Sequence, residues 1–294
     1  MSLRIKLVHA AIAAIGLGVA PLHGAVLGYW RFEEGPAGAL VYNNPTHASA
    51  DSSGNGHHAS SYSLDHSASY SDQVPSPVIP LTGDPNRFSL YTGPGGPVRD
   101  LYTTTAINNA TLSSFTIEAS VQFDGLGTWQ TFVGRDANFS PLSALYFQLA
   151  QDSGLQNHVA CKVMDSGNVL RSVFSRAPVV PGRWYHFAAV ADSAARTLTL
   201  LRYDETLEAY VVENTTTWTG PMQSQGGSWT LGRGMYNGNP TDSFNGRIDE
   251  VRISDAALPT GQLLWSWAVP QAVRITVQPA NVTVAEFSAA TFSV

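Results

Sequence analysis

A single cysteine in 294 residues excludes an internal disulfide, so the core of this chain must hold by burial alone. Charge is also scarce: Asp, Glu, Lys and Arg together make up 13% of the residues. Lys and Arg number 16 against 22 Asp and Glu, a net charge of −6, and the basic residues form no stripe. That balance excludes nucleic acid and anionic membrane surfaces as partners. Beyond residue 25 no apolar run reaches the ~18 residues that a membrane span requires. Turn chemistry, by contrast, is plentiful. The 26 Gly and 17 Pro are spread along the chain, which suits short strands joined by tight turns and argues against a helical bundle.

Residues 1–25 carry the marks of an export signal. Arg4 and Lys6 give a positive start, residues 7–20 are almost wholly apolar, and small residues follow. Cleavage is expected near Ala25, directly before the first strand. The product is then a secreted or cell-surface protein without a membrane span, its net charge −8 after loss of Arg4 and Lys6.

From Val26 onward the hydrophobic pattern has a period of two. Residues 26–32 separate Tyr29 from Trp30 across two faces, and in residues 115–123 Phe115, Ile117, Ala119, Val121 and Phe123 share one face. Further strands are expected at 130–133, 144–150, 158–164, 169–174, 184–190, 197–203, 209–213 and 229–231. Cys161 reads as a small apolar filler on the face opposite Val159 and Val163. With only Lys162 basic beside it, its thiol is not set up to react. Residues 63–87, with Pro75, Pro77, Pro80 and Pro85, read as a surface insertion. Pro259 opens a helical turn in which Leu263, Leu264 and Trp267 share a face and pack across one end of the domain. In residues 246–254, Ile248 is out of phase with Val251 and Ile253 unless the strand bends near Asp249.

Four segments, in this order, resemble the laminin G-like, concanavalin A-like jelly-roll domains of secreted bacterial proteins. Gly28-Tyr29-Trp30-Arg31-Phe32-Glu33-Glu34-Gly35 is similar to the family's opening "W-x-F-D/E-E-G". Asp51-Ser52-Ser53-Gly54-Asn55-Gly56-His57-His58-Ala59 is similar to its "D-x-S-G-N-G-x-x-G" turn, with Ala59 in place of the last Gly. Gly182-Arg183-Trp184-Tyr185-His186-Phe187-Ala188 is similar to its "W-x-H-V-A" strand, and residues 244–258 to its closing "G-x-I-D-E-V-R-I". The four span residues 26–267. Residues 201–205 lack the Gly of the family's "Y-V-D-G" turn, and the insertion at 63–87 interrupts the usual approach to the third strand. The tail at 270–294 resembles the first two strands of an immunoglobulin-like domain, which needs ~100 residues, so it is expected to be an incomplete segment.

The resemblance implies an all-β fold, a two-sheet antiparallel jelly-roll sandwich with about six or seven strands per sheet and its first and last strands side by side. It also implies a structural calcium ion held by Glu33, Asp51, Asn55 and Asp249, an ion that takes six to eight oxygen ligands. The residues alone leave open another role, in which Asp51 caps an Asx-turn and Asp249 bonds neighbouring backbone N–H groups. Relatives that are glucanases carry an "E-x-D-x-x-E" run that sets acid and nucleophile on one face. No such run occurs: Glu118 shares its face with Ser120 and Gln122, and Asp249 and Glu250 are adjacent, so glycoside hydrolysis is not expected. In the matching family strand the counterpart of His186 is structural and bonds a neighbouring turn. For carbohydrate, Trp129, Trp218, Tyr236 and Asn237 offer rings and an amide on loops, against the alternative that the rings close the sandwich ends. The expectation is a non-catalytic extracellular binding or adhesion module for polysaccharide or extracellular protein. A spacer domain without ligand is the competing expectation.

Overall fold

Alternating apolar residues produce strands along nearly all of the computed structural model, which describes residues 24–42, 49–61, 64–93, 99–137 and 141–267. The expected export signal, apart from Gly24 and Ala25, and the segment expected to be immunoglobulin-like lie outside the described residues. The first six strands are β1 (Val26–Trp30), β2 (Leu40–Val41), β3 (Ala59–Ser60), β4 (Ala68–Ser71), β5 (Ser89–Tyr91) and β6 (Leu101–Thr103). The middle six are β7 (Phe115–Phe123), β8 (Gln130–Arg135), β9 (Leu145–Ala150), β10 (His158–Met164), β11 (Leu170–Pro178) and β12 (Trp184–Asp192). The last six are β13 (Thr197–Asp204), β14 (Ala209–Thr217), β15 (Trp229–Leu231), β16 (Gly234–Tyr236), β17 (Asn239–Thr241) and β18 (Gly246–Ser254).

These strands form a jelly-roll sandwich of two large antiparallel sheets. A 9-stranded sheet runs β14-β13-β12-β7-β18-β5-β4-β2, with β1 also paired to β18. A 7-stranded sheet runs β11-β10-β9-β8-β15-β6-β3, and β16 and β17 make a separate hairpin. The first and last strands are neighbours as expected, with Trp30 opposite Val251 and Gly28 opposite Ile253. Trp30 faces the core between the sheets while Tyr29 faces a smaller cluster on the far side, so the alternation in β1 is realised. The core is rich in rings that meet at tilted or edge-on angles, among them Phe132–Phe147 at 4.5 Å and Phe123–Phe244 at 5.2 Å.

The irregular period of β18 resolves as a bulge. Ile248 pairs with Val121 and Asp249 with Ser120, but the next pair is Arg252 with Glu118, so β18 carries one residue more than β7. Glu250 absorbs the extra residue in the left-handed region, at φ +50°. Ile248, Val251 and Ile253 then all reach the same core.

Three local expectations are corrected. Cys161 points into the core with Val159 and Val163, as a period of two dictates for positions two apart, and not to an opposite face. Residues 63–87 are more than a surface insertion: they supply β4 to the large sheet and bury Ile79 completely against Tyr29, Leu264 and Trp265. After Pro259 a 3-10 turn (Thr260–Gln262) forms, but Trp265 rather than Trp267 packs inward, and Trp267 is 59% exposed. That strap lies over the outer face of the 9-stranded sheet, with Leu263 on Ala188 and Leu201, instead of across a sandwich end.

Candidate functional site

Under the strap, the outer face of β7, β12 and β18 holds a closed polar network. Glu118 accepts Arg252 Nε at 2.8 Å and the Leu264 backbone N–H at 2.8 Å, and lies 3.3 Å from His186 Nε2. Burial opposes the charged carboxylate, yet Arg252 and His186 outweigh it and hold Glu118 below the usual carboxylate range. Burial also keeps His186 below its ordinary value, so its ring is neutral. His186 Nε2–H donates to the carboxylate, which leaves Nδ1 to accept from Ser120 Oγ at 2.8 Å. Trp265 stacks on the same ring at 4.3 Å. His186 is structural, bonded to the neighbouring strand rather than to a turn.

The four residues expected to hold calcium are not gathered into one site. Asp51 is the Asx-turn cap: Oδ1 accepts Tyr29 N and Ser53 N, and Oδ2 accepts His57 N, each at 2.9 Å. Burial pushes its pKa up, but these hydrogen bonds prevail and leave it below the ordinary carboxylate value. Asn55 turns its amide nitrogen to the carbonyls of Val26 and Leu27, at 2.7 and 3.1 Å. Both residues flank β1 on the side away from β18, because Trp30 bridges Asp51 on one edge and Val251 on the other. Two strand spacings, about 10 Å, therefore separate Asp51 from β18.

Glu33 and Asp249 grip adjacent residues of one loop instead. Glu33 Oε1 accepts Arg87 N and Phe88 N at 2.7 and 3.0 Å, and Asp249 Oδ2 accepts Asn86 Nδ2 at 2.8 Å. Asp249 is fully buried, and desolvation together with the neighbouring Glu250 charge raises its pKa well above the ordinary value. Glu250, bonded by Arg31 Nε at 3.0 Å and by the Tyr29 hydroxyl, is pushed up to about 7 by burial. Among the described residues no three Asp, Glu, His or Cys side chains are arranged to hold a metal ion. One feature does suit a cation in this corner: Asn86 Oδ1, buried beside Asp249, has no hydrogen-bond partner. Asp249 Oδ1 accepts the Glu250 N–H at 2.9 Å and Oδ2 the Asn86 amide nitrogen, so this corner offers one unpartnered amide oxygen beside a carboxylate that is already hydrogen-bonded, while Asp51 is taken up by its turn.

The residues expected to meet carbohydrate divide as well. Trp218 is fully buried, donates Nε1–H to Ser113 O at 2.7 Å and packs edge-on against Phe115 at 5.5 Å. It is a core residue and not a sugar platform. Asn237 and Gly238, both at positive φ, form the two-residue turn of the β16–β17 hairpin, the geometry that favours Asn-Gly. Asn237 serves the turn and is not among the described residues that line the cleft beside it.

Trp129 and Tyr236 are brought together. They line one cleft of about 380 Å³ over the outer face of the 7-stranded sheet, along with Tyr146, Gln148, Lys162 and Asp242. The local sequence explains each placement. Tyr146 and Gln148 alternate with core residues Leu145, Phe147 and Leu149, and Lys162 lies opposite Tyr146 on the next strand. The loop carrying Trp129 is tied down by Gly127 N to Asn157 Oδ1 at 3.0 Å and by Gln151 Nε2 to Thr128 O at 3.1 Å. The hairpin carrying Tyr236 is fastened by the Tyr146 hydroxyl to Met235 O and by Asn237 N to Pro141 O at 2.7 Å. Burial pushes that Tyr146 hydroxyl up to about 12, so it stays a neutral donor.

Polar groups in the cleft are unevenly satisfied. The Lys162 ammonium sits over the Trp129 ring at 4.5 Å and meets Asp152 at 2.7 Å, which neutralises it and fixes the indole. Gln148 Oε1 accepts Thr131 Oγ1 at 3.1 Å, while its amide nitrogen has no acceptor among the described residues. Among the described residues the Asp242 carboxylate has only a long contact from Thr241 Oγ1 at 3.4 Å. Desolvation raises its pKa, with Thr241 and Lys162 drawing it partly back. Gln148, Lys162 and Asp242 were not singled out in the sequence. The two-residue alternation marks them as outward-facing polar positions, but gives no sign that a hairpin and a loop enclose them.

A two-layer antiparallel jelly roll is the fold class of concanavalin A-like domains. The family model for the concanavalin A-like lectin/glucanases superfamily matches residues 98–263, more than half of the chain, and the chain belongs to that superfamily. Among solved structures it is similar to domain 4 of AbnA, a GH43 extracellular arabinanase from Geobacillus stearothermophilus, in complex with arabinotriose. That likeness has 16% identity and a TM-score of 0.53, over 81% of this chain and 96% of that one. It is also similar to the binding domain of Paraclostridial Mosquitocidal Protein 1, at 11% identity and a TM-score of 0.50, over 77% of this chain and 51% of that one. At these identities the likeness is one of fold. No curated protein matches the chain.

Proposed function

We propose that the chain is a non-catalytic carbohydrate-binding module of an extracellular protein, with a neutral oligosaccharide seated between Trp129 and Tyr236. One observation carries this reading: two partly open rings share a cleft with an amide donor and a carboxylate acceptor that the fold leaves under-bonded. Ring faces suit the C–H faces of sugars, and the Gln148 amide and Asp242 carboxylate suit hydroxyl groups as donor and acceptor. Asp242 is the one carboxylate among the described residues that line the cleft, so the acid–base pair of a glycosidase is not present there. The arabinanase domain of similar fold was solved with arabinotriose, which supports a sugar as the occupant and supplies a first probe. The signal-like pattern of residues 1–25 supports an extracellular location.

A structural calcium ion at Asp249 and Asn86 belongs to the same proposal. Once bound, the ion would supply the positive charge that the buried Asp249 carboxylate lacks. The reading of the cleft is tested by titrating the chain with a panel of neutral oligosaccharides that includes arabinotriose. Trp129→Ala, Tyr236→Ala and Asp242→Asn should each weaken binding about tenfold or more without changing the fold. Absence of binding across the panel would favour the spacer role instead.

A further inference from the structure

A second cleft, of about 590 Å³, lies where the edges of the two sheets approach, between the end of β11 and strands β12, β13 and β14. Its charge runs against that of the chain. Arg176, Arg183 and Arg202 line it against Asp204 and Glu213, within a protein of net charge −6. Val179 and Phe187 give it an apolar floor.

The three arginines are not equivalent. Arg202 is satisfied: Nε donates to Glu213 Oε1 at 2.7 Å, Nη2 to Asp204 Oδ2 at 3.2 Å and Nη1 to Tyr203 O at 3.3 Å. Glu213 is likewise engaged, since its other oxygen accepts Arg176 N at 2.8 Å. Arg176 is held at one end only, by Nε to Glu213 O at 2.7 Å, and its two Nη groups have no acceptor among the described residues. Arg183 rests against the Tyr185 ring at 5.2 Å. Its charge partner is Glu205 at 3.9 Å, with side chains 53% and 70% exposed, a pair that solvent largely screens.

A guanidinium clamped at Nε and open at Nη1 and Nη2 presents the fork that carboxylates and sulfates accept in two parallel hydrogen bonds. Because Glu213 already orders it, less rotamer freedom is lost on binding. We propose that this cleft is a second binding site, for the anionic group of an acidic oligosaccharide, held between Arg176 and Arg183 with Tyr185 beside it. Only the choice of a glycan as ligand rests on the reading given above for the first cleft; the site and its preference for an anion do not. The two clefts share one strand, because Leu170 lines the first and Arg176 the second, about 20 Å apart on β11.

Calorimetric titration of the full chain with tetragalacturonate, with a sulfated tetrasaccharide that carries no carboxylate and with arabinotriose tests the proposal. At least one of the two charged probes should bind, and its affinity should fall several-fold between about 50 and about 300 mM salt. Which of them binds identifies carboxylate or sulfate as the group recognised. The double variant Arg176→Gln/Arg183→Gln should lose about tenfold or more toward that probe, and Arg176→Lys less. None of these variants should alter arabinotriose binding or the melting temperature. If Arg176→Gln disturbs folding, Arg183→Gln alone, at an exposed position, must still weaken the charged probe. Failure of both charged probes to bind, or binding that survives the double variant, overturns the second site. Loss of arabinotriose binding alone, with the charged probe retained, counts against the first cleft and leaves the second standing.

Discussion

Ile248 and Val251 stand three residues apart on one strand and enter the same core, because Glu250 between them adopts a left-handed backbone. The bulge has a second effect, since it turns the Glu250 carboxylate to Arg31 and the Tyr29 hydroxyl on the outer face. A residue that looks like an interruption of the pattern is what keeps the pattern in phase across β1, β7 and β18.

Deleting Glu250 should therefore abolish cooperative folding, because Ile248 would swing to the outer face as the register slips by one. Ile248→Ala keeps the register and should cost about 2–5 kcal/mol. Urea unfolding monitored by near-ultraviolet dichroism distinguishes them. A deletion variant that unfolds cooperatively at the native midpoint would show that the bulge does not set the register.

The two tryptophans first grouped as sugar platforms should separate by what each mutation damages. Trp218→Ala removes a fully buried ring with a satisfied indole N–H and should cost about 3–5 kcal/mol in denaturant unfolding. Trp129→Ala, at the cleft, should cost less than about 1 kcal/mol and act on sugar binding instead. The reverse order of stabilities would contradict both placements.

Neutral-sugar affinity should depend on pH through Asp242. Burial raises its pKa above 3.8, so the carboxylate that accepts a sugar hydroxyl is lost at a higher pH than for an ordinary aspartate. Affinity should be full near neutrality and decline on acidification, and Asp242→Asn should flatten that decline at a lower plateau. Titrations at stepped pH would reject this if wild type and variant fall in parallel.

His186 and Glu118 should each draw stability down toward acid, against the opposite pull of Glu250 and Asp249, whose raised folded pKa values favour proton uptake by the folded chain. The folded His186 has a pKa below 6.5, so only the unfolded chain takes up its proton near that value; its contribution is intact above 6.5 and lost as pH falls. Glu118 is held below 4.5, so it acts in the same direction at lower pH. The groups around them are Arg252 on β18, Ser120 on β7, Tyr210 on β14 and the Leu264 N–H of the strap. His186→Asn should lower stability at pH 8 and reduce the slope of the urea midpoint between pH 6.5 and 5. An unchanged slope would remove His186 from this account.

Chelation tests the calcium proposal. Stripping divalent ions should lower the melting temperature of the wild type, and calcium alone should restore it. Asp249→Ala should melt lower than wild type and no longer respond to chelator. Identical wild-type melting curves with and without chelator would eliminate the ion.

Much of this protein was legible in its residues one at a time. Period-two alternation placed Phe115–Phe123 and most of the other long strands, divided Tyr29 from Trp30, and signalled a bend at Asp249. It works because successive side chains on a pleated strand must point to opposite faces, a local steric rule. Asn237 was expected to meet carbohydrate, although an Asn-Gly pair is itself a local signal for a two-residue hairpin turn, because both residues tolerate positive φ. What covers each outer face was not local. Trp129 and Trp218 both lie in loop-like sequence, yet one lines a cleft and the other closes the core, because different distant segments meet them. Asp51 and Asp249 looked like partners until β1 came between them. Lys162, Gln148 and Asp242 became a site only when the β16–β17 hairpin and the Trp129 loop folded over one sheet. Strand positions follow from the covalent geometry of neighbouring residues, whereas burial and enclosure depend on contacts between segments far apart in the chain, and these the tertiary structure alone decided.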